Sequence, residues 1–171
     1  LKIILSFQVL LDLHLGLLTF FLGRSLAGRG VGLLAALLQA VSPLAAAASC
    51  RILTDGIFAF MLTAALLLLI RHFRTGGWWS LLSAALVMGV SCYIRPVGMA
   101  FSAVMALVVL CSRRGAGRST AEIPINIGML RPRRLLRTAG FACIVLLCIA
   151  PCVARNVTVA DYWGFSSFAT D

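Results

Sequence analysis

The chain alternates between long apolar runs and short breaks that hold most of its charge. A first run, from about Ile3 to Leu22, is apolar apart from Gln8, Asp12 and His14, and ends at Gly23-Arg24. A second, from about Val31 to Cys50, contains Ser42-Pro43, where the missing amide proton predicts a kink or break. A third begins at Thr54-Asp55, side chains suited to accept from the unpaired N–H groups of a first helical turn, and runs to Arg71. Gly76-Gly77-Trp78-Trp79 predicts a loop followed by indoles at headgroup level. The fourth and fifth runs, Trp79 to Ile94 and Val97 to Cys111, are separated by Arg95-Pro96. A residue before proline is driven out of the helical region, so Arg95 is expected in a turn between two short antiparallel helices. A polar, Arg-rich segment from Ser112 to Arg137 leads to a last run from about Leu136 to Ala154, and Arg155 to Asp171 reads as a surface loop.

Crossing ~30 Å of hydrocarbon takes ~20 mostly apolar residues, and the chain supplies five or six such runs. The predicted fold is therefore all-α, a polytopic transmembrane bundle of about six helices including the two short ones around Arg95-Pro96. Composition agrees: 61% of residues are hydrophobic and 12% charged, with a mean hydropathy of +1.04. Those values lie far outside what a water-soluble domain can expose or bury. The net charge of +10 does not point to nucleic acid, because the cations sit in loops between apolar runs rather than on one basic face. The cysteines lack metal-ligand spacing, and most lie in apolar runs, where Cys acts as a small hydrophobe. The chain opens at Leu1 inside a helix-like run. Residues 1–171 are accordingly expected to be one partial transmembrane domain, with an N-terminal helix, the first extracytoplasmic loop and a C-terminal part outside it.

Alternating the loops places Arg24, Arg29, Arg71, Arg74, Arg113, Arg114, Arg118, Arg131, Arg133, Arg134 and Arg137 on one side. Lys2, Arg51, Arg95 and Arg155 fall on the other. The positive-inside rule makes the first side cytoplasmic. Reading Trp79 to Cys111 as a single crossing would split the arginines between faces, which favours the two-helix reading.

The outer side then holds Arg51, Asp55, Arg95, Arg155, Asn156 and Asp161. Arginines at helix ends can simply snorkel to headgroups, and Asp55 can simply cap a helix. Three guanidinium groups beside a carboxylate nevertheless suit an anionic lipid-linked ligand, since guanidinium grips phosphate in bidentate fashion. Asp12 and His14 are ionisable groups within an apolar run, where a functional role is the default hypothesis. Being two residues apart they do not share a helix face, and each is expected to be a packing or water-cavity residue. His72 is expected to be solvated in a cytoplasmic loop. Asn156-Val157-Thr158 matches a glycosylation acceptor pattern, a weak signal at a membrane end.

From Leu10 to Phe60, an apolar helix, the link FLGRSLAGRG, the run GLLAALLQAVSPLAAAASCRILTDGIFAF and a leucine-rich helix resemble a known membrane core. It is that of the bacterial dolichyl-phosphate-mannose protein mannosyltransferase and aminoarabinose transferase type, glycosyltransferases of the GT-C superfamily. GVSCYIRPVGMAF resembles the family's Gly-rich helix ending in Arg-Pro, and IAPCVARNVTVADYWGFSSFAT is similar to its Pro-Trp-x-x-Arg-Asn segment. Cys152 stands where the family usually has Trp, and the family's principal acid, in the first extracytoplasmic loop, lies upstream of these residues. The resemblance implies inverting transfer of a sugar from a polyprenyl-phosphate donor to a glycan, lipid or protein acceptor on the extracytoplasmic face, in the bacterial inner membrane. It implies Asp55 as the catalytic carboxylate, Arg51, Arg95 and Arg155 as holders of the donor phosphate, and Asn156 and Asp161 as accessory groups. No cofactor and no metal ligand are expected, a metal requirement stays open, and these residues alone are expected to be inactive. The competing expectations are a transporter or permease segment and a non-catalytic lipid-binding membrane subunit.

Overall fold

In hydrocarbon every backbone polar group must be satisfied within the protein, which leaves helices as the economical solution for apolar runs of this length. The computed structural model describes residues 2–42, 54–112 and 132–160. Its helices are α1 Lys2–Ala27, α2 Arg29–Val41, α3 Thr54–Thr75, α4 Trp78–Ile94, α5 Gly98–Cys111 and α6 Pro132–Ala160. Three stretches, Ser6–Ala27, Thr54–Thr75 and Pro132–Thr158, are long and apolar enough to cross a membrane. Helices α4 and α5, with 17 and 14 residues, extend only about 26 and 21 Å at 1.5 Å per residue. They are the expected short pair around Arg95-Pro96. The fold is an all-α, polytopic membrane bundle.

Contacts between helices fix their directions. A Cβ on Gly56 would lie 3.7 Å from Asp12 Oδ1, and Arg74 donates from Nη2 to the Ser25 carbonyl, so α1 and α3 run the same way. Trp78 packs beside Gly140, and Gly89 beside Cys148 and Val145, so α4 and α6 also run together. The intervening turns reverse the chain. Arg95 and Asp55 therefore share one end of the bundle, while Arg24, Arg29, Arg71, Arg74, Arg133, Arg134 and Arg137 gather at the other.

Leucine-rich helices gain little by burying apolar surface from lipid, so close backbone approach and packing do the work. Helix α4 is the centre. Its Leu81, Ala84, Ala85, Met88, Ser91 and Cys92 are all fully buried, and adjacent buried pairs such as Ala84-Ala85 and Ser91-Cys92 need neighbours on two sides. Those neighbours are α3 and α6, with α5 across the last turn. Phe141, Val145 and Ile149 of α6, Ala65 and Leu69 of α3, and Met105 and Val109 of α5 complete the core. Leu33, Leu34, Leu37, Leu38, Leu107, Leu146 and Leu147 remain exposed, an arrangement suited to lipid and unsuited to water. Hydroxyls within the helices return to their own backbone: Thr63 donates to Ala59 O (2.8 Å) and Ser91 to Met88 O (2.7 Å).

Four details depart from the sequence reading. Helix α1 runs past Leu22 to Ala27, because Gly23 acts as a contact surface and not as a stop: a Cβ there would lie 2.9 Å from Gly32 Cα. The chain instead breaks at Gly28, whose φ of 96° suits a residue without Cβ. Helix α6 starts at Pro132 and continues to Ala160, so Arg155 and Asn156 lie on a helix and not in a surface loop. Thr158 Oγ1 donates to the Ala154 carbonyl at 3.0 Å, so the acceptor-like Asn156-Val157-Thr158 is helical backbone. His72 is not solvated: it is 2% exposed, and its Nδ1 donates to the Gly77 carbonyl at 2.8 Å, closing the connection between α3 and α4. Pro43 and the break expected there lie outside the described residues, as does Cys50.

Candidate functional site

The Arg95-Pro96 turn is built by local rules. Proline holds Arg95 extended, at φ −144° and ψ 129°. The Arg95 amide donates to Ser91 O at 3.1 Å, and its carbonyl accepts from Gly98 at 2.9 Å. Both backbone groups of Arg95 are thus pinned. Gly98 lets α5 start hard against α4, since a Cβ there would lie 3.2 Å from Cys92 Cα. One turn inward, the Phe58 and Phe101 rings stand 6.0 Å apart and tie the start of α5 to the start of α3.

This frame delivers the Arg95 guanidinium to Asp55, in the first turn of α3. Arg95 Nη2 and Asp55 Oδ1 form an ion pair, with the two side chains 44% and 43% exposed. Oδ1 itself is covered and receives no well-aligned hydrogen bond, so the contact is chiefly electrostatic. It goes to the guanidinium and not to the amides of α3, which sets aside simple capping for that oxygen. A half-exposed pair contributes only ~0.2–1 kcal/mol after screening. The bundle does not need it for stability, and both groups keep a face open to further partners.

Of the sequence-derived candidates, Asp55 and Arg95 are brought together. Arg155 lies at the same end: α4 and α6 are in register at Gly89 and Cys148, and Arg95 and Arg155 stand six and seven residues further on. It is exposed and makes no ion pair among the described residues. Asn156 is half-buried beside it on α6. Arg51 and Asp161 lie outside the described residues. Asp12 and His14 face apart, as their spacing predicts, but His14 is exposed and not a packing residue, with Nδ1 donating to the Leu10 carbonyl at 2.7 Å, whereas Asp12 turns to α3. Asp12 is the group that sequence reasoning undervalued, since it places a second carboxylate beside the turn that carries Asp55. Its only signal was a charge inside an apolar run. Tyr93 was also missed; its hydroxyl donates to the Cys148 carbonyl and ties α4 to α6 near this end.

The described residues thus form a multi-pass helical membrane bundle with a carboxylate–guanidinium pair half exposed at one end. Residues 2–131 match the family model described as dolichyl-phosphate-mannose-protein mannosyltransferase. The chain belongs to that family of GT-C membrane glycosyltransferases. The match takes in α1 to α5, with Asp55 and Arg95, and ends before α6, so the likeness of the Arg155 segment is not part of it. No curated protein and no solved structure was found to match.

Proposed function

We propose that the protein transfers a sugar from a polyprenyl-phosphate-linked donor to a glycan, lipid or protein acceptor at the extracytoplasmic face of the membrane. The observation that carries this reading is the Asp55–Arg95 ion pair, held by a rigid turn and half open at the end of the bundle opposite the arginine-rich one. A guanidinium has five N–H donors in a fixed fork, so Arg95 can keep one edge on Asp55 while another grips a phosphate oxygen. As the bond between the anomeric carbon and the phosphate oxygen breaks, its electron pair stays on that oxygen, and Arg95 stabilises the growing charge. The acceptor hydroxyl forms the new bond to the anomeric carbon, and its proton passes to the Asp55 carboxylate. Arg51 and Arg155 supply further cations for the phosphate, and Asn156 and Asp161 are accessory groups.

The test is transfer by the full-length protein in proteoliposomes from a panel of radiolabelled polyprenyl-phosphate sugars, with nucleotide sugars as the comparison. Label is expected in acceptor from at least one polyprenyl donor. Use of nucleotide sugars alone would overturn the donor assignment.

A further inference from the structure

At the arginine-rich end, away from Asp55, α1 and α3 part to leave a groove of about 470 Å³. That volume falls within the range of ~300–1,000 Å³ usual for ligand sites. Its walls are of two kinds. Phe21, Leu67 and Leu68 form an apolar lining, and Arg24, Arg71 and Arg74 form the rim. Arg71 and Arg74 are three residues apart on one helix face, a like-charge placement that costs energy unless an anion sits between them. Arg24 joins them from α1. The acids among the described residues, Asp12 and Asp55, are both towards the other end, so neither of them neutralises the rim. Arg74 is already fixed by its bond to the Ser25 carbonyl, which spans the groove and presets its guanidinium.

The positive-inside rule accounts for arginines at this end, but not for three of them converging on one cleft with an apolar wall. We propose that this groove binds the phosphate headgroup of an anionic phospholipid, with part of its acyl region against Phe21, Leu67 and Leu68. Basic pockets between transmembrane helices on the cytoplasmic side are well suited to such headgroups. A free phosphate would satisfy the arginines but leave the apolar wall unused, which selects the lipid. The inference rests on the membrane fold and not on the transferase reading, so either can fail alone.

The test uses the purified full-length protein in phosphatidylcholine nanodiscs with and without phosphatidylglycerol, reading lipid retention by native mass spectrometry and thermal unfolding. Phosphatidylglycerol is expected to be retained and to raise Tm, and inorganic phosphate to do neither. Arg24→Gln with Arg71→Gln, which spares the Arg74 contact, should weaken retention by roughly 30-fold, two cations' worth. Arg133→Gln with Arg134→Gln, at the same end on α6, should leave it unchanged. Equal loss in both double variants, no loss in the groove variant, or a Tm rise with inorganic phosphate alone would each overturn the proposal. If the groove variant unfolds in phosphatidylcholine, Arg24→Gln alone decides: it should weaken retention by roughly fivefold, one cation's worth, and unchanged retention counts against the site.

Discussion

At the scale of single residues, Asp55 and Arg95 form one unit, and their substitutions are expected to behave as one. Asp55→Asn keeps the shape but cannot take a proton, and should lower transfer by about 10²–10⁴-fold with little change in donor KM. Arg95→Ala should raise donor KM and also lower the rate, because it strips the leaving phosphate of its cation. The double variant should be little worse than the poorer single one, as for groups that act together. Thermal unfolding should move by no more than ~1 kcal/mol in any of them, since the pair is half exposed. Steady-state transfer by the four proteins in proteoliposomes measures this, and full activity in both single variants removes the site. That Asp55 and Arg95 share one end was legible in the sequence because each is a charge at the edge of an apolar run, where only a few positions compete. Asp12 and His72 were not, because their roles depend on which helix lies beside them: Asp12 meets Gly56 across α1 and α3, and His72 folds back onto Gly77. Nothing in the spacing of an apolar run states its neighbour.

At the scale of helices, Pro96 was read correctly and Gly23 was not, for one physical reason. Proline acts on its own backbone and on the residue before it, so Arg95-Pro96 predicted the turn between α4 and α5 without tertiary knowledge. Glycine can break a helix or let another approach, and only the fold decides which. Gly23 looked like a stop and serves as a contact, whereas Gly28 is the break. The same ambiguity yields a paired prediction. Gly89 faces α6, where an added Cβ would lie 2.7 Å from Cys148 Cβ, while Gly16 has nothing within 4 Å. Gly89→Ala should therefore destabilise the bundle by about 1–3 kcal/mol through overpacking. Gly16→Ala should stabilise α1 by about 0.5–1 kcal/mol, by the ordinary helix preference. Unfolding midpoints in mixed micelles measure both, and equal shifts of one sign would mean that α4 and α6 do not pack at Gly89.

At the scale of the whole molecule, the decisive pattern is the separation of charge. The sequence reading obtained it by counting arginines in alternate loops, and the described residues show the same partition in space. It requires six short segments to alternate in direction, which a count can reveal even where boundaries are off by several residues, as at α6. Side-chain neighbours across helices carry no such tally, which is why the groove between α1 and α3 escaped the sequence. The partition also makes the sidedness testable. Helix α3 has 22 residues and so separates its ends by about 33 Å, enough to put them on opposite sides of the hydrocarbon. Val97, beside Arg95, and Thr75, beside Arg74, are both exposed and stand near opposite ends. In a cysteine-free background, Val97→Cys should react with a membrane-impermeant maleimide on intact cells. Thr75→Cys should react only after the membrane is opened. The reverse result would place Asp55 and Arg95 in the cytoplasm, and transfer at the outer face would be untenable. Labelling of both from one side would contradict α3 as a crossing helix. The expected pattern places the ion pair where a lipid-borne phosphate from the outer leaflet can reach it, and the arginine groove where the anionic inner leaflet can fill it.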